Sequence, residues 1–490
     1  MYMRSHPLSI LIFRSGRRGF ALPLTLIIGL AMMSMGAVML ARSRSDTSRA
    51  VAQKNTMVGM GVTEAGIAQY QQLMQKNENL AYYPTCINDP ETPNGTACDA
   101  QSWKNVASLP EIQACETGDL NTIEAKASTG WQAVDPSDPK KGQYRLAGYT
   151  YKYFPDPTNR DPGTLVAGVG TAPGQGTLVI DGRAADNLDP SNSSARDAVS
   201  TSRVEVTIPV EPRQLTGSVP GVWLTEGGTG GNNRVQGDVL INDCGVNLTD
   251  VRVTGSDPTT GEAYGARYTT MQFPDLPTMP TLTGTPRAHH ILGVLSGEDY
   301  TFPRTGDIPI DVTRTVNGTT VTEKVYEYIV DSIDLQSGNK TIIVDADRLL
   351  PAGTRARVVF YLKGSINKGG EILHACPTTP GSTCKPTDFQ IYGYGTLNGP
   401  SASYEMCLIG NNQLEAFILA PNYSVGIAGT GVIEGSIWAK QWSNGSGCGA
   451  MSSQIVVEQT ARWQDLGLTP ENIPPTIKPA TDWKQKEVQP

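Results

Sequence analysis

From Phe20 to Ala41 no charged residue interrupts the chain. The run is about 22 positions long, close to the ~20 that span hydrocarbon at ~1.5 Å per residue. Beyond it, Val51, Val58, Val62, Ile67, Tyr70 and Met74 recur on a roughly helical period as far as Lys76. The pattern predicts one long helix, apolar in its first half and amphipathic in its second. Strand signals follow a Pro-rich, loop-like stretch. Tyr149 to Phe154 is aromatic and β-branched, Thr177 to Ile180 is a short apolar run, and Val204, Val206, Ile208 and Val210 alternate strictly. These predict three antiparallel strands closing a compact head by about Pro212.

The texture then changes. Short apolar runs at Val222–Leu224, Val235–Ile241, Ile342–Val344, Val358–Leu362, Ala416–Ala420 and Val432–Lys440 are punctuated by glycine at irregular intervals. Stacked rungs of a parallel β-helix are the favoured reading and a β-sandwich the second. Gly237 and Gly435 fit tight turns of a narrow coil, where a side chain has little room. The fold class expected is α+β: a long N-terminal helix, an antiparallel head, then a Gly-rich all-β domain.

Composition agrees. The 52 Gly and 34 Pro favour short strands and turns over a helical bundle, and only 18% of residues are charged. The net charge of -8 argues against nucleic acid as a partner. Eight cysteines, at Cys86, Cys98, Cys115, Cys244, Cys376, Cys384, Cys407 and Cys448, have no zinc-type spacing. In an exported body they would form disulfides. Three precede Pro212 and five follow it, so full pairing demands at least one bridge between the two regions. Cys376 and Cys384 could close a small local loop.

The residues before the apolar run sharpen the picture. Arg17-Arg18-Gly19-Phe20 places a basic patch and a small residue directly before the apolar helix. A Sec signal has its cleavage site after the apolar region. This order resembles the type III signal of type IV pilins and pseudopilins. Val62-Thr63-Glu64-Ala65-Gly66-Ile67 resembles the Ala-Glu-Ala-Gly signature of PilX-like minor pilins, with Thr63 in place of the first Ala. The Ala420-Pro421-Asn422 step and Gly435 to Lys440 resemble the C-terminal domain appended to such proteins.

The resemblance implies that a prepilin peptidase cuts between Gly19 and Phe20, with methylation of the new terminus. Loss of four leader arginines would take the net charge from -8 to about -12. The helix from Phe20 to Ala41 would stay in the bacterial inner membrane as a single pass, N-terminus in the cytoplasm and body outside, among other pilins. Most pilins carry Glu at the fifth mature position, where this chain has Leu24. A carboxylate in lipid is costly unless paired. Leu24 therefore points to a minor, tip-located or initiating subunit of a type IV pilus or type II secretion filament. Pro23 lies in the first helical turn and removes no intrahelical hydrogen bond.

The domain layout expected is a leader over 1–19, a transmembrane and pilin helix over 20–79, and a head over 80–212. A β-rich domain follows over 213–450, then a surface or frayed tail over 451–490.

Candidate chemistry is sparse. No cofactor, metal or catalytic residue is implied. His289-His290 reads as a surface loop beside Pro286 and Arg287. His374-Ala375-Cys376 would put an imidazole and a thiol on one strand face, with a disulfide to Cys384 favoured over zinc. Gly227 to Gly231 lacks the Lys-Ser/Thr of a phosphate loop. The acidic loops 89–99, 156–161 and 186–197 read as turns before they read as calcium sites. Asp331, Asp334, Asp345 and Asp347 are the carboxylates a carbohydrate-cutting coil could use. Trp223, Trp438, Trp442, Tyr392, Tyr394 and Tyr423 are the aromatics through which a pilus-borne adhesin could bind a surface glycan or receptor. Each of these reads first as a core residue.

Overall fold

The structure is a computed structural model. It describes residues 21–85, 102–109, 112, 115, 117–127, 130–138, 141–153, 174–184, 201–213, 215, 217–229, 233–281, 290–316, 319–335, 340–351, 354–367, 370–374, 376, 384–395, 404–410, 413–429, 431–442, 448 and 455–488. Gly19, Phe20, Cys86, Cys98, His289 and the three acidic loops lie outside the described residues.

Helix α1 runs unbroken over Ala21–Lys76, 56 residues. Pro23 sits in its first turn without interrupting it. The helix has two environments. Pro23–Thr47 is 25 residues long and none of its most apolar stretch is buried. Further on, Val62, Thr63, Gly66, Ile67, Tyr70 and Met74 form a buried stripe at helical spacing.

That stripe packs on an antiparallel sheet of β1 (Gln132–Ala133), β2 (Gln143–Tyr153), β3 (Gly174–Arg183) and β4 (Thr201–Glu211). The alternation read in the sequence puts Val204, Val206, Ile208 and Val210 into the head core with Tyr144, Tyr149, Leu178 and Ile180. Helix and sheet touch where side chains are absent. A Cβ on Gly182 would lie 2.2 Å from Thr63 Oγ1 and 2.5 Å from the Gly59 carbonyl oxygen.

After β4 the chain builds a coil. Its strands are β5 (Val222–Leu224), β6 (Arg234–Gln236), β7 (Val239–Ile241), β8 (Arg252–Val253) and β9 (Ala266–Tyr268). Then come β10 (Ile291–Ser296), β11 (Tyr300–Phe302), β12 (Ile310–Val316), β13 (Thr319–Asp334), β14 (Thr341–Val344), β15 (Ala356–Leu362) and β16 (Ile366–Asn367). It ends with β17 (Glu371–Leu373), β18 (Phe389–Gly393), β19 (Tyr404–Gly410), β20 (Gln413–Gly429), β21 (Val432–Trp442) and β22 (Ile455–Gln459).

Apart from the β12–β13 hairpin, the named strand pairs of the coil are parallel. That is the pairing of stacked rungs and not of an antiparallel sandwich. Long strands turn corners between faces: Lys324–Val330 of β13 pair with β15, and Ile333–Asp334 pair with β16. Six parallel strands, β18, β15, β13, β16, β19 and β20, thereby close a ring.

The rungs do not stack in chain order. One face carries a ladder from Ile291 through Ile329, Tyr361, Tyr392, Leu419 and Trp438, and then on to Trp223, Leu240 and Arg267. The chain thus enters mid-stack at β5 and winds outward to β9. It resumes at the opposite end as β10 and winds back until β21 abuts β5. Between the two ends, Met271, Phe273, Leu276 and Met279 lie against the outer side of the ladder. The inner side is filled by Val222, Ile437, Ile418, Ile391, Phe360 and Tyr328.

Of the segment 451–490, expected as a surface or frayed tail, residues 455–488 are structural instead. Strand β22 stacks between β21 and β6. The chain then leaves antiparallel to its own way in, with the Val219 N–H donating to the Ala461 carbonyl at 3.0 Å and the Trp463 N–H to Gly217 at 3.1 Å. Strands β23 (Thr476–Ile477) and β24 (Thr481–Val488) finally pair antiparallel with β4. The coil is therefore inserted into the head sheet between β4 and β23, rather than appended after it. Adjacent chain ends at one rung are what such an insertion requires.

Candidate functional site

The described surface is dominated by the exposed apolar half of α1. Leu26, Ile27, Leu30, Met32, Met33, Met35 and Met39 are each more than 60% exposed. In water so large an apolar surface is unfavourable, so a lipid or protein neighbour must cover it. Leu24, at 52% exposed, belongs to the same surface. Arg42 and Arg44 stand near the C-terminal end of the stretch, also exposed.

The Thr63–Gly66 segment sits where the helix meets the head. Thr63 is buried and its hydroxyl donates to the Gly59 carbonyl at 2.8 Å. Gly66 is buried, and a Cβ there would lie 3.0 Å from Tyr144 and Ile180 side-chain atoms. Ala65 is half-buried and Glu64 faces solvent. Close approach of helix and sheet accounts for the small residues.

Head and coil are locked together at the end of α1. Cys115 is bridged to Cys244 across 129 residues, as the odd cysteine counts on either side of Pro212 required. Arg213 pairs with Glu78, and Asn79 Nδ2 donates to Thr270 Oγ1 at 3.1 Å. Burial pushes the Glu78 carboxyl up, against the pull of Arg213. A cleft of about 490 Å³ lies in this joint, lined by Lys76, Glu78, Arg213, Arg267, Tyr268 and Thr270 among others. Sequence patterns gave no sign of it, because its two walls are far apart in the chain.

The aromatic glycan candidates are buried. Trp223, Trp438 and Tyr423 are 0% exposed, and Trp442 and Tyr392 are only slightly accessible. Tyr394 packs on the same outer cluster. Phe273 stacks on Trp438 at 6.4 Å and meets Trp223 edge-on at 4.9 Å. The carboxylate candidates lie on the surface or at strand ends. Asp331 pairs with Lys363 at 3.1 Å, Asp334 ends β13, and Asp345 and Asp347 are exposed after β14.

His290 corrects the surface-loop expectation. It is buried, its Nδ1 lies 2.9 Å from the Glu327 carbonyl, and its ring stacks on Tyr328 at 4.9 Å. Cys376 and Cys384 form the expected local disulfide, beside buried His374. Cys407 and Cys448 form another. Sequence reasoning also missed a buried charge cluster beneath the departing chain. Arg355 meets Glu323 at 2.9 Å and Asp388 at 3.2 Å, Arg357 meets Glu323 at 3.5 Å, and Lys385 pairs with Asp465. Its members are scattered between residues 323 and 465, so no local motif announces it.

Fold and surface together define a class: an α+β protein whose long N-terminal helix is apolar enough to cross a membrane and carries a β-sheet head with a large β-rich insertion. No protein-family profile and no curated protein matches the sequence. Among solved structures, the competence-associated pilin ComZ from Thermus thermophilus aligns with 89% of this chain and 98% of its own, at 10% identity and a TM-score of 0.24. Agreement that loose carries no weight beside the chain's own geometry.

Proposed function

We propose that this protein is a PilX-like minor pilin or pseudopilin, without catalytic activity, that serves in assembly or tip formation of a type IV pilus or type II secretion filament. The observation that carries the reading is the division of one continuous helix. Its first half is wholly exposed and apolar, and its second half is the spine of an antiparallel head. Before assembly the exposed half sits in the inner membrane, and afterwards it packs beside the helices of other pilins. Leu24 leaves the subunit without the buried carboxylate that pairs with a neighbour's terminus. The inserted coil adds bulk that would crowd a repeating filament but has room at a tip.

The adhesin reading draws no support from the six nominated aromatics, since they are in the core or under the segment that crosses it. The test is the N-terminal sequence of the mature protein from cells with and without prepilin peptidase. A chain beginning at Phe20 only when the peptidase is present supports the reading. A chain beginning at Met1 in both, or cut after Ala41, overturns it.

A further inference from the structure

His374, Cys376 and Cys384 bring one ring nitrogen and two sulfurs within 4.8 Å of one another. The imidazole is held in one tautomer. His374 Nδ1 lies 2.6 Å from the Glu415 carbonyl oxygen, which can only accept, so the proton is on Nδ1. Nε2 then keeps its lone pair, and it faces Cys384 Sγ at 3.8 Å. For tetrahedral zinc, with Zn–N of about 2.0 Å and Zn–S of about 2.3 Å, nitrogen and sulfur ligands sit about 3.5 Å apart.

Contacts other than the sulfur–sulfur bond also hold these residues. Glu415 acts at both ends. Its carbonyl orients His374, and its carboxylate Oε1 accepts the Cys376 N–H at 2.8 Å. On the other side, the Lys385 N–H donates to Asp388 at 2.7 Å and fixes the chain just after Cys384. His374 itself is tied to Leu414 by a parallel bridge within the rung stack. An oriented imidazole whose second nitrogen donates to a backbone carbonyl is the outer-shell arrangement of metal-binding histidines.

We propose that the Cys376–Cys384 bridge masks a site for a thiophilic cation, zinc in the first instance, made of Cys376 Sγ, Cys384 Sγ and His374 Nε2. A dithiol opens it: the bridge takes two electrons and two protons, and the dithiol leaves as its own disulfide. The cation then displaces both thiol protons. Two thiolates and a neutral imidazole balance its charge in this half-buried place, and water completes the fourth position. The site is a redox-gated one, closed under oxidation and metal-binding under reduction.

The full chain in detergent, reduced with a non-thiol phosphine, is titrated with Co²⁺ as the probe. The expected result is a sulfur-to-cobalt charge-transfer band, one Co²⁺ per chain, displaced by Zn²⁺, and absent before reduction. His374→Asn keeps both thiols and should weaken binding more than about ten-fold. Cys376→Ser should abolish the charge-transfer band. Cys407→Ser, at a separate bridge, should leave it unchanged and shows that reduction elsewhere is not the source. The proposal is overturned if the reduced wild-type chain gives no thiolate band, or if His374→Asn binds as tightly as wild type.

Discussion

The Gly221 N–H donates to Gln459 Oε1 at 3.0 Å, across 238 residues of sequence. The same oxygen accepts the Asp238 N–H at 2.6 Å. One side chain from the last coil strand thus holds the first strand and the turn before β7. The contact is close enough that a Cβ on Gly237 would lie 2.4 Å from Gln459 Cβ. This is where the inserted coil begins and ends, so the joint decides whether the insertion stays wound.

Gln459→Ala removes that acceptor and strands a buried N–H, which costs about 1–3 kcal/mol. Thermal unfolding should move down accordingly, and the amides of Gly221 and Asp238 should exchange faster while those of β2 and β3 do not. A midpoint unchanged within about 0.5 kcal/mol would show that the seam is held by rung stacking alone.

The parts of the fold that were legible share one property: their neighbours in space are their neighbours in sequence. The stripe of Val62, Ile67, Tyr70 and Met74 and the alternation of Val204 to Val210 each belong to one element. The coil breaks that rule, since Trp438 lies beside Trp223, and Ile329 beside Ile291. Rungs of unequal length in shuffled order leave no period to find. The returning strand β24 was illegible for a different reason. Thr481 to Gln485 are exposed, as suits a charged edge strand, so the segment reads like a tail. The aromatic ladder is core, the reading placed first for its residues, because a strand's outer face is open to solvent only when nothing crosses it. Here Phe273 and Trp463 cover it.

Gly435 has φ of +145°, and a Cβ there would lie 1.9 Å from the Ala416 carbonyl oxygen on the next rung. Gly435→Ala should therefore combine backbone strain with a clash that neither rung can relieve. The expected loss is about 2–6 kcal/mol. Gly227 also has positive φ, +64°, but open space around it. Gly227→Ala should cost only about 1–2 kcal/mol. Chemical denaturation of the two variants side by side separates strain from clash, and equal losses would refute the rung-contact account.

The Cys115–Cys244 bridge closes a loop of 129 residues and fastens the coil to the head. In the chain-entropy account a loop of this size contributes about 4–5 kcal/mol. Replacing both cysteines by serine should lower stability by up to that amount and split unfolding into separate head and coil transitions. Glu78→Gln removes the nearby ion pair with Arg213, which is partly solvent-exposed and worth less than about 1 kcal/mol. A single, unshifted transition in the double-serine chain would mean that the paired strands at Gly217–Val219 and Ala461–Trp463 carry the joint unaided.

Asp388 gives the coil a pH signature of unusual sign. Burial raises its carboxyl from 3.8 to about 6, and Arg355 and the Lys385 N–H only partly oppose the shift, while Glu323 adds to it. In the folded chain Asp388 binds its proton before the unfolded chain does, so its contribution is present in full below 3.8 and is lost as pH rises through 6. Acidification from pH 7 to 4 should thus add up to about 3 kcal/mol from this group. His374 acts in the opposite sense, because burial lowers its pKa from 6.5 and the unfolded state gains protons first on the acid side. The two are separable by variant. Stability against pH for Asp388→Asn should fall more steeply between pH 6 and 4 than for wild type, with His374 unopposed. If the two curves run parallel, the Asp388 carboxylate is already neutralised by Arg355 in the folded coil and its pKa is not raised.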